Sequence, residues 1–219
     1  MFDTIFTALM CVCALVAFIY SSRRLFVKGM PLYFQIVVCA IGCLLIEKVA
    51  YLIEFYTNAL NEGTGVYVLG IMGCLMFLLS ANHGVLDRLV DDGNSTLKIK
   101  LAGYFIAIVI LIGIVFNFML VSTVSLTTGI ILAIVCIPAV PAAYFNVKHL
   151  LLPMDPFELL KNTRAINVLS LTYYISVISY MLSSMLDLSI VKYVFDAMYT
   201  LSMCLMGFFA VKGAKRWMI

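Results

Sequence analysis

Three charged side chains interrupt an otherwise apolar stretch of the sequence, LLIEKVAYLIEFY at residues 44–56. Within it, Glu47, Tyr51 and Glu54 are spaced i, i+4 and i+7, so they share one face of a helix. Lys48 follows Glu47 and lies about 100° around the same helix. Carboxylates in this arrangement could bind a cation, carry protons or act in acid–base chemistry, and their spacing does not choose among these roles.

More polar residues fall at a comparable depth in later apolar segments. Lys192 and Asp196 are one helical turn apart and share a face. A charged side chain at the centre of a bilayer costs about 2.5–3.5 kcal/mol, and such residues usually face a bundle interior or a water-filled cavity. We therefore predict an outward-facing polar pocket with these ligand-binding residues: Glu47, Tyr51, Glu54, Asn117, Lys192 and Asp196.

A purely structural interpretation explains the same residues. Lys48 and Lys192 can extend their aliphatic stems toward the outer interface. Nearby carboxylates would pair with them and hold the second and seventh helices together, with Lys48 and Asp187 as ion-pairing residues. Both interpretations place the second helix beside the seventh, so a contact between these helices does not separate them.

The composition identifies the class of protein that must position these residues. The chain has 219 residues, is 64% hydrophobic and has a mean hydropathy of +1.12, well above the range of soluble domains. Several apolar runs reach about 20 residues, the length that crosses a bilayer core. We predict an all-α polytopic membrane protein, a single domain over residues 1–219, with seven transmembrane helices at 2–20, 31–56, 64–84, 99–121, 124–146, 165–186 and 189–211.

The basic residues orient these helices. Every lysine and arginine except Lys48 and Lys192 falls at one end of the predicted spans. The positive-inside rule makes that end cytoplasmic. The N-terminus is then outside and the C-terminus is cytoplasmic, which fits a multi-pass protein of a bacterial-type plasma (inner) membrane.

Three local features refine the bundle. The segment DPFE begins with a capping box, which predicts a short amphipathic helix at about 156–162 on the inner interface. Pro138 and Pro141 predict a kink in the inner half of the fifth helix. Gly70 and Gly73 predict a close approach of another helix to the third helix.

The sequence argues against several other chemistries. All seven cysteines lie inside apolar runs, where free thiols behave as small hydrophobic groups. The two histidines, His83 and His149, are both near inner helix ends, and His83 is one turn before Asp87, a local carboxylate partner. We predict no metal site, no cofactor and no catalytic residues. The basic residues sit in short clusters at helix ends, so no nucleic-acid partner is expected either.

Residues 44–79 carry a family resemblance. The segment IEKVAYLIEFY, a short glycine-bearing loop and then GVYVLGIMGCLMFLLS resemble helices two and three of the seven-transmembrane sensor regions that precede bacterial histidine kinases and diguanylate cyclases. The resemblance implies a bundle with its N-terminus outside that receives a signal from outside or from the bilayer and passes it inward. It supplies no catalytic residues. The chain ends eight residues after the predicted seventh span, so the signal would pass to an output domain of a longer chain or to a separate partner.

The leading functional hypothesis is therefore an integral membrane sensor or ligand-binding protein. Its expected partners are the lipid bilayer, a small-molecule or ion ligand from outside, and a cytoplasmic or membrane signalling protein. Two alternatives stay open. One is a small ion- or proton-coupled transporter that uses the intramembrane carboxylates, and the other is a membrane-embedded lipid-modifying enzyme.

Overall fold

In the computed structural model the chain forms a bundle of seven helices that are long and apolar enough to span a membrane. The structure describes residues 2–26, 29–57, 65–87, 96–152, 160–186 and 188–217, and all regular secondary structure in them is helical. The first three spans are Phe2–Leu25, Leu32–Tyr56 and Tyr67–Leu79, the last continued by a π-helical segment, Ser80–Leu86. The other four are Leu97–Ser122, Leu126–Cys136 with Ala139–Leu151, Leu160–Met185 and Ser189–Trp217.

These bounds confirm the predicted spans and correct some of their ends. The first helix extends beyond residue 20 to Leu25, and the Ser21 and Ser22 hydroxyls donate to carbonyls of the preceding turn. Of the short helix predicted at 156–162, residues 156–159 lie outside the described residues. Residues 160–162 form the first turn of the sixth span.

The two ends of the bundle differ in charge. Described basic residues in the last turns of the first and fifth spans and the first turn of the fourth span fall at the same end. We call this the basic end, and we call the opposite end, where the first span begins, the N-terminal end. The first, third, fifth and seventh spans run toward the basic end, and the second, fourth and sixth spans run away from it.

The fifth span is interrupted near its middle, at Ile137 and Pro138. Pro138 has no N–H to donate to the preceding turn, so the helix ends there and a new one begins at Ala139. Pro141 is the third residue of this new helix, where an N–H would have no partner within the helix. The sequence predicted a kink from Pro138 and Pro141 in the inner half of this span, and the structure places a break at Ile137 and Pro138, near the middle of the span.

The second span packs on the first, third and seventh spans. The third span approaches it closely at two glycines. A Cβ at Gly70 would lie 2.6 Å from the Cβ of Glu47, and one at Gly73 would lie 2.7 Å from the Cys43 sulfur. The predicted close contacts at both glycines are confirmed.

Candidate functional site

The most heavily charged part of the bundle interior lies between the second and seventh spans. We call Glu47, Lys48, Asp196 and Tyr199 the charged cluster. The Lys48 ammonium donates to Asp196 Oδ1 and to the Tyr199 hydroxyl, and its nitrogen lies 3.2 Å from Glu47 Oε1. Glu47 is 15 residues after Leu32, about 22 Å along the second span from the basic end, so the cluster lies in the N-terminal half of the bundle.

Tyr199 bridges Lys48 and Glu47. Its hydroxyl donates to Glu47 Oε1 at 2.6 Å while it accepts from Lys48. The Lys48 nitrogen also lies 4.1 Å from the centroid of the Tyr199 ring, close enough for a cation–π interaction. Asp196 accepts a further bond from the Thr200 hydroxyl at 3.3 Å. Each carboxylate is thus held by more than one donor.

The charged cluster is sealed from both solvent and lipid. The side chains of Glu47 and Lys48 are each 3% exposed, and that of Asp196 is 10% exposed. Two carboxylates face one ammonium group, so the ionised cluster carries one net negative charge. Glu47 Oε2 is buried and has no hydrogen-bond partner in the described part of the chain.

Aromatic rings close the cluster on the side of the sixth span. Tyr173 and Tyr180 pack edge-on against Tyr199, with ring centroids 5.9 and 5.6 Å away. Both side chains are buried. Rings at these distances are within the range of favourable edge-to-face contacts, so the sixth span helps to fix the position of the Tyr199 hydroxyl.

Glu54, predicted to line the same pocket, has a different role in the structure. Its carboxylate accepts a hydrogen bond from the backbone N–H of Val66, at the start of the third span. A Cβ at Gly65 would overlap this carboxylate, so a larger residue there would displace the Glu54 side chain. Glu54 therefore caps the N-terminus of the third span, where the helix dipole also favours a negative charge.

The other predicted site residues lie around the cluster. Tyr51 packs edge-on against Tyr67, with ring centroids 5.4 Å apart. Lys192 places its nitrogen 5.9 Å from the ring centroid of Tyr180 and is partly exposed. Tyr51 and Lys192 thus each contact a tyrosine ring, and their place in a ligand pocket stays a prediction.

Asn117 and Asp187 complete the predicted set. Asn117 donates to the backbone carbonyls of Gly113 and Ile178, at 3.0 and 3.3 Å, and so ties the fourth span to the sixth. Asp187 lies outside the described residues. Among the residues that are described, the structure brings together Glu47, Lys48 and Asp196, and an outward-open pocket around them stays a prediction.

A second group of charges lies at the basic end. We call Asp87, Lys148 and His149 the basic-end triad. Asp87 Oδ1 lies 2.7 Å from the Lys148 nitrogen and 3.0 Å from His149 Nε2. The sequence pointed to His83 as the neighbour of Asp87, but the His83 ring packs on Phe145 at a centroid distance of 4.5 Å. The partners of Asp87 come instead from the fifth span.

Buried polar side chains lie between the cluster and the triad. The Tyr173 ring contacts that of Tyr174, with centroids 6.1 Å apart, and the Tyr174 hydroxyl accepts from Asn146 at 3.3 Å. Asn82 and Asn167 are also fully buried. The side-chain oxygens of Asn82, Asn146 and Asn167 have no hydrogen-bond partner among the residues described. Buried polar atoms are usually satisfied by protein or by internal water, so these oxygens are candidate acceptors for internal water.

No protein-family model, curated protein or solved structure matches this chain. The resemblance to sensor regions of histidine kinases and diguanylate cyclases therefore stays a prediction from the sequence. The function must be argued from the geometry of the charged cluster and its surroundings.

The sequence-based prediction missed Tyr199. Part of its position could have been predicted, because Tyr199 follows Asp196 by three residues and so lies on the same helix face. The sequence also predicted the second span beside the seventh, and these two spans are in contact. A polar aromatic residue one turn from an intramembrane carboxylate is the pattern that would have identified it.

Proposed function

We propose that this protein is an integral membrane sensor that binds a small cation or a proton at the charged cluster. We place it in the plasma membrane with the N-terminus outside and the basic end in the cytoplasm. The asymmetry of the basic residues supports this orientation. One observation carries the proposed function: two buried carboxylates face a single buried ammonium group.

Charge balance is the reason for expecting a ligand. A net negative charge in a low-dielectric interior is costly, and a single added positive charge would remove it. Glu47 Oε2 supplies a buried acceptor for that charge, since none of the described residues donates to it. A proton or a small monovalent cation is the ligand we expect at this position, because one added positive charge neutralises the cluster.

The third span supplies a route for relaying the binding event. Its backbone at Gly70 contacts Glu47 directly, and its far end carries Asp87. Asp87 binds Lys148 and His149, which lie beyond the interruption of the fifth span. A small movement at the cluster would thus reach two helices that are already interrupted, the third by its π-helical segment and the fifth at Pro138. A cytoplasmic or membrane signalling partner would read the basic end.

Thermal unfolding of the purified protein in detergent tests the binding step. Saturation with the correct ligand, at about 100 times Kd, contributes about 2.7 kcal/mol, which raises the Tm of a chain of this size by roughly 5–10 °C. Separate measurements of Tm against sodium concentration, potassium concentration and pH identify which cation binds. We expect Glu47→Gln to fold and to lose the rise, because it leaves one carboxylate for one ammonium group.

Glu54→Gln is the matched control, since Glu54 is a buried carboxylate of the same span that bonds to Val66 and not to Lys48. It should keep the full response. A response that persists in Glu47→Gln would refute the proposed site. Loss of the response in both variants would instead favour the wider pocket predicted from the sequence.

One observation favours a second candidate, a cation- or proton-coupled transporter. Polar side chains continue from the cluster toward the basic end through Tyr173, Tyr174 and Asn146. A sensor needs no such continuation, whereas a transporter needs polar groups along the whole path. Movement of the cation or proton into proteoliposomes would be measured. A flux that Glu47→Gln abolishes and Asn146→Leu reduces would favour transport. Absence of flux from a preparation that still shows the thermal response would favour the sensor.

A further inference from the structure

A groove follows the surface between the first and seventh spans. It has a volume of about 430 Å³ and is lined by apolar side chains, among them Val16 and Tyr20 of the first span and Leu201 and Phe208 of the seventh. These four side chains are exposed on the outside of the bundle. In a membrane-spanning protein this surface faces lipid, and the volume is in the range of sites that hold a small molecule.

The length of the groove matches one leaflet of a bilayer. Its lining residues on the first span run from Val12 to Tyr20, which corresponds to about 12 Å along a helix. Half of a typical hydrocarbon core is about 15 Å thick. Both spans run toward the basic end, so the groove extends from the middle of the bundle to the leaflet at that end.

Positive charge lies at the basic end of the groove. The Arg24 guanidinium lies 5.9 Å from the ring centroid of Tyr20, which lines the groove. The two spans touch just there, since a Cβ at Gly207 would lie 3.5 Å from the Cβ of Ser21. Arg24 follows Ser21 by three residues and Lys212 follows Gly207 by five, so both cations lie beyond this contact at the same end. Arg24 and Lys212 are exposed.

We propose that this groove binds one anionic phospholipid, with an acyl chain between the first and seventh spans and its phosphate at Arg24 and Lys212. The apolar lining contacts the acyl chain of the lipid, and the two cations favour a negatively charged headgroup. A zwitterionic lipid could fill the groove but would gain less from these cations. The proposal does not depend on the cation site in the charged cluster.

Native mass spectrometry of the detergent-purified protein tests this assignment. We would titrate the protein with phosphatidylglycerol and with phosphatidylcholine of the same chain composition. Wild type should retain one phosphatidylglycerol per chain in preference to phosphatidylcholine. The double variant Arg24→Gln/Lys212→Gln should bind phosphatidylglycerol roughly thirtyfold more weakly, close to the level of phosphatidylcholine.

Two further variants separate headgroup recognition from general charge effects. Lys98→Gln/Lys100→Gln removes two lysines at the same end but on the fourth span, so it should leave the preference unchanged. Val16→Trp should lower retention of both lipids, because the indole would occupy the groove. Equal retention of the two lipids by wild type, or equal losses in the two double variants, would overturn the proposal. A dimer that Val16→Trp dissociates while lipid retention is unchanged would also overturn it, since the groove would then be an interface between two copies.

Discussion

The charged cluster and the basic-end triad are opposite arrangements of the same kinds of group. In the cluster, two carboxylates face one ammonium group, and the Lys48 side chain is 3% exposed. In the triad, one carboxylate faces Lys148 and His149, and the Asp87 side chain is 21% exposed. The first is short of positive charge, whereas the second has its negative charge matched and reaches the surface at Asp87, although the Lys148 and His149 side chains are only 6% and 0% exposed.

This difference separates the proposed binding site from a structural connection between two spans. Asp87 and Lys148 balance each other, and partial exposure lowers the cost of bringing them together. The triad therefore needs no additional group to connect the third and fifth spans. The cluster cannot be balanced by its own side chains when all are ionised, so its stability should depend on what else it binds.

The largest expected effect comes from removing the one cation of the cluster. Lys48→Met should cost about 3–5 kcal/mol of folding stability, because it leaves two carboxylates buried without their ammonium partner. Chemical denaturation in detergent or thermal unfolding would measure the loss. The size of this loss is the sharpest test of the difference between the two groups.

A triple variant controls for the loss of the lysine's packing. In Glu47→Gln/Lys48→Met/Asp196→Asn every member of the cluster is neutral, and buried ion pairs replaced by neutral groups of similar volume often cost little. Most of the stability lost in Lys48→Met should return. A stability loss of less than about 1 kcal/mol in Lys48→Met would equal that of an exposed ion pair. The cluster and the triad would then not differ in the way proposed.

The next effect tests the packing that seals the cluster. Gly70→Ala would place a methyl group 2.6 Å from the Glu47 Cβ and 2.8 Å from its Cα, and overpacking of this kind typically costs about 1–3 kcal/mol. Gly84→Ala is the control on the same span, near the triad, where the nearest atom would be 3.8 Å away. It should be neutral or slightly stabilising. Equal effects of the two substitutions, measured by thermal unfolding, would show that the third span is not packed more tightly at the cluster.

Much of this architecture was predictable because membrane spans follow simple physical rules. Length and apolar composition located all seven spans, and Pro138 and Pro141 indicated an irregularity in the fifth. Gly70 and Gly73 were recognisable as close contacts because a helix carrying glycines at this spacing can admit a neighbour. Each of these features depends on one span alone, or on one span and an unspecified neighbour.

The features that were missed depend on which spans face each other. Glu54 shares a helix face with Glu47, but helix geometry does not indicate that the chain returns to place the Val66 N–H beside it. Asp87 was matched with His83 by sequence distance, whereas its partners lie about 60 residues away on the fifth span. The sequence contains no local pattern from which the packing of the third span on the fifth could be read.

The smallest expected effect comes from removing the lysine of the triad. Lys148→Met should cost only about 1 kcal/mol, because Asp87 keeps His149 at 3.0 Å and is partly exposed to solvent. Thermal unfolding would measure this against Lys48→Met, which exchanges the same two residue types in the buried cluster. A loss for Lys148→Met as large as that for Lys48→Met would mean that exposure and charge balance do not distinguish the two groups. A small loss of stability, with the cation-induced rise in Tm unchanged, would show that Lys148 connects the third and fifth spans. Cation binding would then depend on the charged cluster alone.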